Sequence, residues 1–189
     1  KAIPEAALFV PSGTMGNTCA LLAHTRPGDE VVFEAQAHMH LWECGNYAAL
    51  AGLAVRAVDG DQGVITPSAL EAVLRPPNIH FAATRLVCLE NTHNNHAGAA
   101  WTPAQVAQLA AAAHARGLLV HMDGARLFNA AVAAGVEARE YARHVDSVMF
   151  CVSKGLSAPV GSLLCGSRAF VDTAARMRKR LGGGMRQAG

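Results

Sequence analysis

The run Thr102-Pro103-Ala104-Gln105-Val106, continuing through Leu109 and Ala113 to Gly117 and then Leu118-Leu119-Val120-His121-Met122-Asp123, decides the fold. Threonine followed by proline is a helix cap with a first-turn proline, whose missing N–H costs nothing there. Val106, Leu109 and Ala113 recur at helical spacing and mark one apolar face, and Gly117 stops the helix. Leu118–Met122 is then too short and too apolar for a surface helix, so it reads as a buried strand that ends on Asp123. A capped helix running straight into a buried strand is half of a strand–helix–strand unit, the repeat that builds a mainly parallel sheet.

The pattern extends in both directions. Strands are expected at Glu30–Phe33, Ala54–Val58, Arg85–Glu90, Ser147–Val152 and Ser162–Cys165, and Ala6–Val10 reads as a buried strand or a helix end. Helices are expected from about Met15 to His24, Leu41 to Ala51 with Gly52 as its left-handed cap, Thr66-Pro67 to Leu74, and Arg168 to Leu181. The reading is an α/β domain, a mostly parallel central sheet with helices on both faces, formed by residues 1–189 as one unit. At 51% hydrophobic, 16% charged and mean hydropathy +0.19, the chain can bury a core and is not disordered. A net charge of +2 is too balanced for a general nucleic-acid binder, and no apolar run is long enough to span a membrane. The chain begins Lys1-Ala2-Ile3-Pro4 without Met and stops at Ala188-Gly189, which suggests a piece of something longer.

Five cysteines at 19, 44, 88, 151 and 165 include no C-x-x-C pair, so reduced thiols in a cytoplasmic protein are expected rather than disulfides or a zinc ribbon. Nine histidines include two close pairs, His38-x-His40 and His93-x-x-His96, neither at the helical i, i+4 spacing of a zinc helix, and no metal site is expected. The basic cluster Arg176, Arg178, Lys179 and Arg180 reads as a solvated face or a subunit interface near a phosphate.

Open α/β sheets bind ligands where strand carboxyl ends meet their loops. Three strands end in reactive groups: Glu90-Asn91-Thr92-His93, His121-Met122-Asp123 and Ser153-Lys154. Gly13-Thr14 opens a helix, whose free N–H groups suit a phosphate. Each piece alone has a plainer reading, as a helix cap, a solvated turn lysine or a polar residue under a loop. Together they match the needs of pyridoxal phosphate: a lysine for its Schiff base, an acid for the pyridine nitrogen and a phosphate cradle. The 31 residues from Asp123 to Lys154 accommodate one helical crossover between two sheet strands.

Five ordered motifs carry a resemblance. They are Phe9-Val10-Pro11-Ser12-Gly13-Thr14-Met15-Gly16-Asn17, Leu89-Glu90-Asn91-Thr92-His93-Asn94, His121-Met122-Asp123-Gly124-Ala125-Arg126, Ser153-Lys154-Gly155-Leu156-Ser157-Ala158-Pro159, and Arg178-Lys179 with Gly182-Gly183-Gly184-Met185-Arg186-Gln187. The chain resembles the threonine aldolases, low-specificity L-threonine aldolases in particular, of the β-eliminating lyase group. The resemblance implies the large domain of an aspartate-aminotransferase-like, fold-type I pyridoxal-phosphate enzyme, with an N-terminal arm and a C-terminal small domain missing here. It implies retro-aldol cleavage of L-threonine or L-allo-threonine to glycine and an aldehyde.

It further implies Lys154 as the Schiff-base lysine, Asp123 as the partner of the pyridine nitrogen, and His38 as the histidine stacked on the cofactor. Gly13, Thr14 and Ser153 match the phosphate contacts. Arg126 matches an arginine near the cofactor's phenolic oxygen and the substrate carboxylate. His93 matches a histidine near the substrate hydroxyl, so that His93 and His38 are the candidate bases. Arg186 matches a residue that reaches a neighbouring subunit's phosphate, with Lys179 near it as a further cofactor contact, in a homo-oligomer, a dimer or tetramer with shared sites. Two departures bear on substrate preference: Asn95-His96-Ala97-Gly98 intervenes where the family has a glycine-rich stretch, and His40 stands where a tyrosine is commoner. The alternatives are another pyridoxal-phosphate β-eliminating lyase, or a truncated non-catalytic remnant that binds cofactor or oligomerises.

Overall fold

The computed structural model describes residues 4–186, so Lys1–Ile3 and the Gln187 of the last motif lie outside the described residues. Seven strands form one mixed sheet: β1 (Ala6–Val10), β2 (Glu30–Glu34), β3 (Ala54–Val58), β4 (Thr84–Glu90), β5 (Leu119–Asp123), β6 (Ser147–Cys151) and β7 (Ser162–Gly166). Their order is β1-β7-β6-β5-β4-β2-β3. The five strands β3, β2, β4, β5 and β6 are parallel, and β7 runs antiparallel between β6 and β1. The expected mostly parallel sheet is present. β2 is buried along its whole length, as a parallel strand covered on both faces must be.

The helices are α1 (Gly13–His24), α2 (His38–Leu41), α3 (Asn46–Ala49), α4 (Pro67–Val73), α5 (Pro103–Ala115), α6 (Leu127–Ala134), α7 (Arg139–Ala142) and α8 (Arg168–Arg180). Their starts follow the chemistry read from the sequence. The Thr66 and Thr102 hydroxyls accept from the backbone N–H three residues on, a proline occupies the first turn in both helices, and Gln105 completes a capping box at α5. Leu70, Val106, Leu109 and Ala113 face one side of the sheet with Val87, Val120 and Met122. On the other side, α1 and α8 enclose Cys19, Ala20, Met149, Leu164 and Phe170.

The single helix expected over Leu41–Ala51 is instead two short turns, α2 and α3. Cys44 and Gly45 between them both take positive φ, 54° and 68°, which ends one turn and starts the next in a new direction. Glycine matters for packing at Gly16 in α1: a Cβ there would stand 2.7 Å from Met149 Cγ. Its absence lets α1 lie against β6, bringing the helix start over the ends of β5 and β6.

Candidate active site

β4 and β5 end in register, with Glu90 beside Asp123; Met149 of β6 lies beside Asp123, and β6 runs two residues further to Cys151. β1 ends one short turn before α1, and the 152–161 segment leaves β6 to return as β7. These loops enclose a cavity of about 370 Å³. Gly13, Thr14, His38, Asp123, Ser153 and Lys154 all line it, six expected residues drawn from four separate stretches of chain. Ser12 caps α1 by accepting from Met15 N–H at 3.2 Å. The N–H groups of Gly13 and Thr14, in the first turn of a twelve-residue helix, have no intrahelical acceptor and can receive an anion.

Asp123 is 1% exposed, and hydrogen bonds hold both its oxygens. Oδ1 accepts from Ala125 N–H at 3.1 Å and Oδ2 from Asn17 Nδ2 at 2.9 Å. Asn17 also donates to Glu43 Oε1 at 2.9 Å, and its own Oδ1 lies 3.1 Å from His121 Nε2. Behind it, the Ser147 hydroxyl lies 2.8 Å from His121 Nδ1 and 2.7 Å from His24 Nε2. One tautomer set satisfies the whole series: His24 Nε2–H donates to Ser147, Ser147 to His121 Nδ1, and His121 Nε2–H to Asn17. His121 must then be neutral, in keeping with burial, aided by the charge of His24, which pushes it down to about 3. A buried row of polar groups thus runs along the seam between α1 and the sheet and fixes the carboxylate that faces the cavity.

Glu43 is pushed up to about 8, first by burial and then by the negative charge of Asp123. It is therefore largely protonated at neutral pH, and its Oε2 is buried without a hydrogen-bond partner. A carboxyl raised on folding stabilises the fold fully below its ordinary value near 4.5, and that contribution disappears as pH climbs to about 8. Glu43→Gln keeps an acceptor for Asn17 and removes the titration. Its stability is expected to be flatter than wild type between about pH 4.5 and 8; equal slopes in denaturant titrations across that range would contradict this.

His38 opens α2. Its backbone N–H donates to Glu90 Oε2 at 2.7 Å, and Glu90 Oε1 accepts from Asn94 N–H at 2.9 Å. Burial lowers the His38 imidazole below its usual value, against the pull of Asp123, so the ring is neutral at pH 7. Glu90 is raised to about 7, by burial and then by Asp123.

The remaining expected residues lie elsewhere. Arg126 sits at the start of α6, with Nη1 3.3 Å from Asn94 Oδ1, and its charge reaches both His38 and Glu90. His93 is fully buried, bonds through Nε2 to Glu34 Oε2 at 2.9 Å, and does not line the cavity. Lys179 lies in the last turn of α8 beside Gly184, and Arg186 is exposed near the end of the described residues. Neither lines the cavity. Next to Lys179, Arg178 donates to the Phe9 carbonyl at 2.6 Å and ties α8 to the end of β1. Sequence reasoning does not mark Asn17, Glu43, His121 or Ser147 as site residues. Asn17 does carry a signal, since it stands one helical turn beyond Gly13 and so faces the same way.

The family described as beta-eliminating lyase matches residues 4–189. Low-specificity L-threonine aldolase 1 of Arabidopsis thaliana is 43% identical over 189 residues, covering 98% of this chain and 53% of that protein. Low specificity L-threonine aldolase of Escherichia coli K12 is 42% identical over 186 residues, covering 98% and 55%. The solved structure of Leishmania major threonine aldolase superposes with a TM-score of 0.86 at 24% identity, covering 95% of this chain and 53% of that one. The chain spans about half the length of the curated relatives it matches. It belongs to the beta-eliminating lyase family.

Proposed function

We propose that this chain is the pyridoxal-phosphate-binding large domain of a threonine aldolase, which cleaves L-threonine or L-allo-threonine to glycine and acetaldehyde. One observation carries the reading: a lysine amine, a buried carboxylate and a helix N-terminus meet in one cavity of about 370 Å³. The donor set fits the cofactor. Lys154 would attach it, Asp123 would hold a proton at its pyridine nitrogen, and the Gly13 and Thr14 amides with the Ser153 hydroxyl would receive its phosphate. When bound, pyridoxal phosphate supplies an electron sink for the charge left on the substrate Cα as the Cα–Cβ bond breaks.

The residues of the chain do the rest. Asp123, kept in place by Asn17 and Ala125, favours positive charge across the cavity. Arg126 would pair with the substrate carboxylate. His38, neutral and lining the cavity, would take the β-hydroxyl proton directly or through a water, a role typically worth about 10²–10⁴-fold. His93 would need a change of position to share it, since its Nε2 is committed to Glu34. Lys179 and Arg186 would reach a neighbouring subunit's phosphate in a homo-oligomer. Among the described residues no helix is long and apolar enough to cross a membrane, and the five free cysteines suit a cytoplasmic protein.

Product analysis separates this from a β-elimination, the second chemistry open to the family. Incubating the full-length protein with L-threonine and L-allo-threonine is expected to yield glycine and acetaldehyde in equal amounts. A β-hydroxy amino acid converted instead to a keto acid and ammonia would overturn the reading.

A further inference from the structure

The stretch Asn95-His96-Ala97-Gly98, where this chain departs from the family pattern, brings a second histidine to a buried carboxylate. Ala97 and Gly98 both take positive φ, 53° and 82°, and fold the segment back on itself. His93 N–H then donates to the Ala99 carbonyl at 2.8 Å, and Gly98 N–H to the His93 carbonyl at 2.9 Å. The reversal sets the His93 and His96 rings edge to face with centroids 4.6 Å apart. Both rings point their Nε2 atoms at Glu34, the last residue of β2: His93 Nε2 lies 2.9 Å from Oε2, and His96 Nε2 lies 3.8 Å from Oε1.

We propose that Glu34, His93 and His96 form a binding site for a divalent transition-metal cation of the zinc class. The three ligand atoms lie within 4.8 Å of one another. Donors around a tetrahedral zinc, with bonds of about 2.0–2.1 Å, stand roughly 3.3 Å apart, so rotamer adjustments of up to about 0.8 Å per side chain bring these atoms onto one ion. The side chains of Glu34 and His93 are 3% and 0% exposed, whereas His96 at 21% leaves a way in. Two features point to a ligand rather than a finished hydrogen-bond pair. His96 Nε2 is buried with no hydrogen-bond partner, and Glu34 has imidazoles beside it but no lysine or arginine among the described residues.

Two imidazoles and one carboxylate suit zinc or cobalt, while calcium and magnesium demand more oxygen donors than this pocket holds. On binding, the His93 proton moves from Nε2 to Nδ1, which is buried and without a partner, so the ring stays neutral. The ion would pin the 93–99 segment to the end of β2. The same segment begins just after Glu90, whose carboxylate holds the His38 backbone, so the cation would stiffen one wall of the cavity without touching it.

Sequence spacing hides this site because Glu34 precedes His93 by 59 residues, and His93 and His96 meet through a reversed loop rather than a helix. The test is zinc alone, titrated into the cofactor-loaded protein against a chromophoric chelator, with zinc-edge X-ray absorption on the complex. One zinc per chain is expected, with two imidazoles in its shell. His96→Asn removes a ligand from a partly exposed loop and should weaken binding by more than about 10-fold, the least that even outer-shell losses cost at metal sites. Glu34→Gln should do the same. Cys44→Ser should leave binding unchanged, because that exposed thiol is not part of the site. No stoichiometric zinc, a shell without paired imidazoles, or equal affinity in folded His96→Asn would overturn the proposal.

Discussion

Lys154→Ala is expected to abolish the visible absorption of bound pyridoxal phosphate and to lower threonine cleavage by roughly 10⁶-fold, the scale reached when a covalent catalytic residue is removed. The size follows from the residue's position. Lys154 is exposed on the 152–161 segment and lines the cavity, so its amine is available for chemistry rather than committed to packing. The same exposure makes a stability effect within about 0.5 kcal/mol the expectation, and unfolding midpoints of mutant and wild type should coincide. Lys154→Arg should not restore activity, because a guanidinium stays protonated and cannot form the Schiff base. A well-folded Lys154→Ala protein that cleaved threonine at the normal rate would remove the lysine from the mechanism.

Asp123→Ala is the second large effect. Removing one member of a buried charged pair typically costs about 3–5 kcal/mol, and each 1.4 kcal/mol is tenfold, so cofactor affinity and turnover should together fall by about 10²–10⁴-fold. The loss should go beyond simple destabilisation. Without the carboxylate, nothing in that wall of the cavity holds a proton at the pyridine nitrogen, and the pH midpoint of the bound cofactor's absorption should move. Glu43 should also lose the second cause of its elevation and titrate below about 8. Asp123→Asn keeps the shape of the group but not its charge, and should share the spectral shift while remaining folded. An unchanged absorption midpoint in both variants would leave Asp123 a purely structural residue.

The central strands and the rim they carry were readable because their signals are local. Thr102-Pro103 announces α5, Gly117 ends it, and Asp123 follows the last apolar residue of β5. Lys154 similarly falls three residues beyond the end of β6. Such residues must lie at strand ends in any α/β sheet, so Asp123, Lys154 and the Gly13-Thr14 turn reach one rim without knowledge of strand order.

What stayed hidden depends on neighbours far apart in the chain. His121 and Ser147 meet only because β5 lies beside β6, and Asn17 joins them only because Gly16 lets α1 settle on that seam. Glu43 looks like a surface acid in Trp42-Glu43-Cys44; the left-handed turn at Cys44 and Gly45, which no helical periodicity reveals, accompanies its burial beneath His38. His93 shows the limit of motif matching from the other side. Its motif places it at a strand end, yet its ring turns inward to Glu34, a partner contributed by β2.

The most direct test of the account uses borohydride. Within this chain the lysines are Lys1, Lys154 and Lys179, far enough apart for proteolysis to place them on separate peptides. Treating the cofactor-loaded protein with borohydride, followed by proteolysis and mass spectrometry, should place the reduced cofactor on the peptide containing Lys154. An adduct confined to Lys1 or Lys179, or none at all on a protein saturated with pyridoxal phosphate, would contradict the assignment.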